Sequence, residues 1–148
     1  MSTEWFLIAN AARGFIAQRC RGQPLTVIAH FEHPASRLKS AALGEDKAGR
    51  ALAPAGFGGA AFEPRADAQR KEHLRFAHEL ATHLEEAALV EGYDTLVLFA
   101  GNPFLGELKG ALAEATLRRL AHSVPVDLTR VGQAELGRRI ADELAAAS

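Results

Sequence analysis

The stretch DTLVLFAGNPFLGELKGAL, residues 94–112, decides the fold. From Leu96 to Ala100 it is apolar without alternation, the pattern of a strand covered on both faces, as helices cover a parallel sheet. It then reaches Asn102, a good helix N-cap, and Pro103, whose missing N–H costs nothing at a first helical position. A buried strand running straight into a helix predicts an α/β domain with this strand at the centre of its sheet.

On the N-terminal side of that strand, Leu74, Ala77, Leu80, Ala81, Leu84 and Ala88 recur three and four apart, which predicts a long helix capped by Asp67 and ended by Gly92. On its C-terminal side, a helical piece from Glu114 to Leu120 leads to SVPVDLTR (123–130), read as a strand with Val124, Val126 and Leu128 on one face. The chain closes with QAELGRRIADELAAA (133–147), whose Leu136, Ile140 and Leu144 are four apart, as in an amphipathic helix. At the other end, EWFLIAN (4–10), RGFIAQR (13–19) and LTVIAHFEH (25–33) are separated by the turn signals AA and RGQP and read as a meander. The expectation is a single α/β domain spanning 1–148: a mixed sheet of about five strands with helices packed on it, and a long loop between strand 3 and the first long helix.

The totals suit one core. The chain has 148 residues, 48% of them hydrophobic, and a formal net charge of −1, so attraction to nucleic acid has to come from a local patch. A lone Cys20 cannot form an internal disulfide. The start MSTEWFLIANAARG lacks the basic and apolar regions of a signal peptide, and no apolar run approaches the roughly 18 residues of a membrane span. A cytoplasmic protein without membrane insertion is expected.

Familiar catalytic patterns are missing. His30 and His33 are three apart beside a strand, and His73, His78 and His83 are five apart on a helix; neither spacing converges on an ion, and the histidines read as solvent-facing. No metal or cofactor is expected. There is no G-x-S-x-G, and the glycines of APAGFGGAAFEP (53–64) lack both the phosphate-loop Lys-[Ser/Thr] and dinucleotide-fingerprint spacing. Two anion-binding features remain. The helix start at Asn102 offers free backbone N–H groups at the carboxyl end of the buried strand, although Asn102 can also serve simply as that helix's cap. Between Arg37 and Lys71 lie seven basic residues (Arg37, Lys39, Lys47, Arg50, Arg65, Arg70, Lys71) against four acidic ones, enough for a cationic arm to follow an RNA backbone and no more than an ordinary solvated loop also carries. Nothing in the pattern predicts DNA specificity.

Four segments, FEHPASRLKSAALGEDKAGRA, EHLRFAHELATHLEE, DTLVLFAGNPFLGELKGAL and VPVDLTR, resemble, in order, the bacterial family called "protein required for attachment to host cells". The more specific pieces are the S-R-x-K…D-[KR]-x-G-R block at Ser36 to Arg50 and F-L-G-E-L at Phe104 to Leu108. That family in turn resembles the central domain of eukaryotic and archaeal peptide release factors, in which a Gly-Gly-Gln loop ahead of a long helix promotes peptidyl-tRNA hydrolysis. Gly58-Gly59 stands in the comparable place here and is followed by Ala60, so no glutamine is present to orient water. Relatives also commonly carry Asp where this chain has Asn10, while Asp127 matches their pattern.

The resemblance implies a non-catalytic or weakly catalytic domain contacting rRNA, tRNA or the ribosome through the loop. Its anion-binding candidates are Arg37, Lys39, Lys47, Arg50, Arg65 and Asn102. Two alternatives stay open: a peptidyl-tRNA hydrolase acting through Gly58, Gly59 and Ala60, and a protein-interaction component of an attachment pathway.

Overall fold

The computed structural model describes residues 2–33 and 58–147, with residues 58–66 as helical backbone only. The elements are β1 (Thr3–Ala9), β2 (Arg13–Cys20), β3 (Thr26–Glu32), α1 (Gly58–Leu89), β4 (Thr95–Ala100), α2 (Phe104–Ala111), α3 (Glu114–Leu117), β5 (Leu120–Val124) and α4 (Gln133–Ala147). The five strands form one mixed sheet in the order β3-β2-β1-β4-β5. The meander pairs antiparallel, and β1–β4 and β4–β5 pair parallel. The carboxyl ends of β1, β3, β4 and β5 therefore share one edge of the sheet.

The alternation of side chains along a strand divides the core into two layers. Trp5, Leu7 and Ala9 of β1 face Phe76, Leu80 and Leu84 of α1 together with Phe104 and Leu108 of α2. Phe6 and Ile8 face the opposite way and meet Leu136 and Ile140 of α4 and Leu128 of the loop before it. A fully buried side chain of this size stabilises the fold by about 1.5–3 kcal/mol, so the sheet is held from both sides. Two polar groups taken into the first layer are paired: Trp5 Nε1 donates to Gln18 Oε1 at 2.9 Å, and the Tyr93 hydroxyl donates to the Leu84 carbonyl at 2.8 Å. The Tyr93 ring stacks on Trp5 with centroids 4.6 Å apart.

Between β2 and β3 the register shifts. Ile16 pairs with Ala29 and Ala17 with Val27, which leaves Ile28 as the extra residue of a bulge. The bulge changes which face β3 presents: Ala29 and Phe31 pack against the α1 layer, Val27 packs against the α4 layer, and Ile28 is 42% exposed.

Several sequence expectations need correction. β4 is an interior strand, but the centre of the sheet is β1, because the antiparallel meander adds two strands on the far side of β1. The long helix starts at Gly58 and not at Asp67, ahead of Gly59 and Pro64, whose low helix preference pointed to a later start. The stretch Gly58-Gly59-Ala60 is thus the first turn of a helix and not a loop tip. Leu74 is exposed, and Phe76 takes the place expected for it in the core. The last strand is 120–124 and not 123–130: Pro125 has no N–H for a ladder, and the Val126 amide bonds to the Val124 carbonyl at 2.8 Å and bends the chain. Finally, α2 is capped by Pro103 without any side-chain cap bond, so Asn102 is not its N-cap. The expected loop after β3, residues 34–57, lies outside the described residues.

Gly14 pairs with Ala9 at the hairpin end of the β1–β2 ladder. A Cβ there would stand 2.9 Å from the Ala9 Cβ and 3.1 Å from the Ile8 carbonyl oxygen. Gly14→Ala should lower stability by about 1–3 kcal/mol through overpacking, read as a lower urea midpoint with an unchanged slope.

Candidate functional site

Because four strands end at one edge, the polar residues that follow them gather there. Asn10, just after β1, organises the hairpin turn: its Oδ1 accepts from the amides of Ala12 at 2.8 Å and Arg13 at 3.0 Å. Its Nδ2 donates across the sheet end to Thr129 Oγ1 at 3.1 Å and Asp127 Oδ2 at 3.4 Å. Thr129, in the loop after β5, donates both its amide (2.8 Å) and its hydroxyl (2.6 Å) to Asp127 Oδ1. Asn10 therefore ties the end of the central strand to a loop near the other end of the chain.

These contacts set the charge of Asp127. Partial burial is the largest single influence and pushes its pKa up. Together, the Thr129 hydroxyl and amide, the Asn10 amide and the Arg13 charge outweigh burial and hold the carboxyl below its ordinary 3.8. An ionised carboxylate is thus fixed at the sheet edge at neutral pH.

Beside this cluster lies a cavity of about 230 Å³ lined by Asn10, Ala12, Arg13, Glu32 and Arg130. Arg13 and Arg130 are both exposed. On the other side of β3's end, His33 donates its amide to the Ala12 carbonyl at 2.9 Å. Its Nε2 lies 2.7 Å from Glu72 Oε1, with both side chains 9% exposed. Arg75 Nη1 bonds the other oxygen of Glu72 at 2.5 Å. The pair fastens α1 to the sheet edge, and the ring of His33 stacks on Phe76. His33 is therefore buried and not solvent-facing, and His83 is likewise engaged, edge-on to Phe31.

A second and larger recess, about 840 Å³, opens where α1 passes α2, beyond the end of β4. Arg70, His73, Leu74 and His78 of α1 line one wall, and Gly106 and Glu107 of α2 line the other. The Oε1 atom of Glu107 is buried and has no hydrogen-bond partner among the described residues. Among the described residues no group of three or more His, Cys, Asp and Glu is placed to hold a metal, and no helix is long and apolar enough to cross a membrane.

Of the residues singled out from sequence, Asn102 is at the shared edge, exposed, immediately after β4. Gly58, Gly59 and Ala60 open α1. Arg65 is placed only as helical backbone, and Arg37, Lys39, Lys47 and Arg50 lie outside the described residues. Sequence reasoning did not single out Arg13, Arg130, Thr129, Glu72 or Glu107 as site residues. The one signal for them was positional, since each follows or faces the end of a strand, and it becomes usable only when the strand order is known.

The Asn10–Asp127–Thr129 cluster should leave its mark on acid stability. A carboxylate whose folded pKa is depressed contributes stability above its unfolded value and loses it as pH falls through the folded one. Asp127→Asn should therefore flatten the acid-side loss of stability below about pH 4, measured by urea midpoints at successive pH values. Asn10→Asp should lower the midpoint at pH 7, because it removes two donated bonds and sets a second carboxylate against the first. That deficit should shrink below about pH 5 as one of the pair takes up a proton.

No curated protein matches the chain. Comparison with known families matches residues 5–140, from the core of β1 to the buried Ile140 of α4, to the family described as "Protein required for attachment to host cells". The match takes in all five strands apart from the first two residues of β1, and the chain belongs to that family.

Proposed function

We propose that this host-attachment family protein is an RNA-contacting domain that uses the carboxyl edge of its sheet as the contact surface. The observation that carries the reading is the 230 Å³ cavity flanked by the exposed guanidinium groups of Arg13 and Arg130, at the strand ends where open α/β sheets bind ligands. Arginine's fork of donors matches phosphate oxygens, and two arginines across one opening suit successive phosphates of a backbone.

Further positive charge lies along α1. Its 32 residues extend about 48 Å, more than twice the length of the six-residue β4 it packs on, so its N-terminal turns project past the sheet edge. Arg70 and Lys71 are exposed on this part of the helix. Arg37, Lys39, Lys47 and Arg50 add cations in sequence between β3 and this helix, Arg65 adds one within it, and the net charge of −1 makes the concentration local. The reading asks for contact and no bond cleavage.

Fluorescence anisotropy with a labelled single-stranded RNA, repeated across a salt series, tests it. The wild-type protein should bind with a log–log salt slope that reports several phosphates. The Arg13→Ala/Arg130→Ala pair should weaken binding and make the slope shallower by roughly 0.7 for each phosphate no longer neutralised. Absence of binding at low salt, or identical slopes for the two proteins, would overturn the reading. Co-sedimentation with ribosomes and binding to tRNA then identify which RNA is engaged.

A further inference from the structure

We infer that Asp127 reads the ribose 2′-hydroxyl of the bound strand and so makes the arginine-flanked sheet edge select RNA over DNA; the inference rests on the RNA reading above. Two arginines across one cavity account for phosphate contact and for no preference between nucleic acids, since both kinds of strand carry the same phosphates. The edge also holds a carboxylate. Asp127 is exposed, and its neighbours connect it to the cavity: Asn10, which lines the cavity, donates Nδ2 to Asp127 Oδ2, and Arg130, which lines it too, follows the Thr129 that bonds Asp127 Oδ1. The charge of Arg13, on the cavity wall, acts on the same carboxyl.

The two oxygens of Asp127 are not equivalent. Oδ1 takes the Thr129 amide at 2.8 Å and the Thr129 hydroxyl at 2.6 Å, which fixes the carboxylate in place. Among the described residues Oδ2 takes a single bond, from Asn10 at 3.4 Å, near the outer limit for a hydrogen bond. A carboxylate oxygen accommodates about two donors, so Oδ2 has room for a second and shorter bond. The flank towards β4 is open as well: Gly101 follows that strand, and a Cβ there would meet the Asp127 Cβ at 4.0 Å and nothing nearer.

A fixed negative charge beside a phosphate site weakens the binding of any polyanion unless the ligand supplies a donor to it. The backbone of a nucleic acid has one candidate. Its phosphodiester and ring oxygens only accept, whereas the ribose 2′-hydroxyl both donates and accepts, and DNA lacks it. With successive phosphates at Arg13 and Arg130, the ribose between them lies at the cavity, on whose wall Asn10 leads to Asp127. Its hydroxyl donates to Oδ2, and a deoxyribose leaves the same charge unanswered. Asp127 thus discriminates twice, by attracting one sugar and by repelling a strand that offers no hydrogen.

The test measures fluorescence anisotropy of the full chain with one labelled single-stranded sequence in three forms: RNA, 2′-fluoro RNA and DNA. The fluoro form keeps the sugar pucker of RNA and has no hydroxyl hydrogen, so it separates the hydrogen bond from the shape of the strand. RNA should bind about tenfold tighter than either of the others, the discrimination expected of one hydrogen bond to a charged group. In Asp127→Ala the three affinities should converge. Gly101→Val, which lays a side chain against Asp127 without altering any bond in the cluster, should bring them together as well, with circular dichroism and the urea midpoint showing that each variant is folded. Equal binding of RNA and either other form by the wild type, or a preference that survives in either folded variant, overturns the hydroxyl reading and leaves phosphate contact standing. Failure of all three forms to bind overturns both.

Discussion

Strand β1 is hydrogen-bonded on both edges and buried on both faces, and the rest of the molecule is arranged around that condition. A strand in that position has no polar side left, so Trp5 to Ala9 must be apolar throughout, and each successive side chain commits to one of two helical layers. Its antiparallel bond to β2 and parallel bond to β4 join a hairpin meander to a helix-crossover half. The first polar residue the strand can show is Asn10, at its carboxyl end, and that residue takes on the turn to β2 and the link to Asp127 and Thr129. The position of the polar cluster is a consequence of where the central strand runs out of core.

The fold was legible wherever burial leaves a periodic trace. The unbroken apolar run before Gly101 announced a strand covered twice, and the leucine spacing of α4 announced its inward face. The errors share a different cause. Whether β1 or β4 stands at the centre depends on which strands pair, and pairing leaves no mark within either strand. The start of α1 is hidden because Gly58, Gly59 and Pro64 are poor helix formers and Asp67 offers an N-cap signal after them. SVPVDLTR alternates like a strand, yet Pro125 ends the ladder, and Leu128 is buried from a loop.

The candidate site was less legible than the fold because its members are distant in sequence. Asn10 and Asp127 stood out only as positions within a family pattern, and their contact depends on β1, β4 and β5 running parallel. Arg13 and Arg130 are ordinary surface arginines until the sheet order sets them around one cavity. Glu107 is invisible as a special residue in FLGEL, since a glutamate in a first helical turn is common on dipole grounds alone. Its distinction is three-dimensional: one carboxylate oxygen is buried without a hydrogen-bond partner among the described residues.

The bulge at Ile28 bears on how the molecule behaves in company. β3 is the last strand in the sheet order, and an outer strand with a regular row of unpaired amides and carbonyls is a template on which another chain can add. At Ile28 that row loses its spacing and its twist changes, so an incoming strand that matches one half of β3 is out of step with the other. The irregularity that divides β3 between the two core layers thereby also guards against edge-to-edge aggregation, and a variant that removed it would fold into the same sheet with a stickier rim.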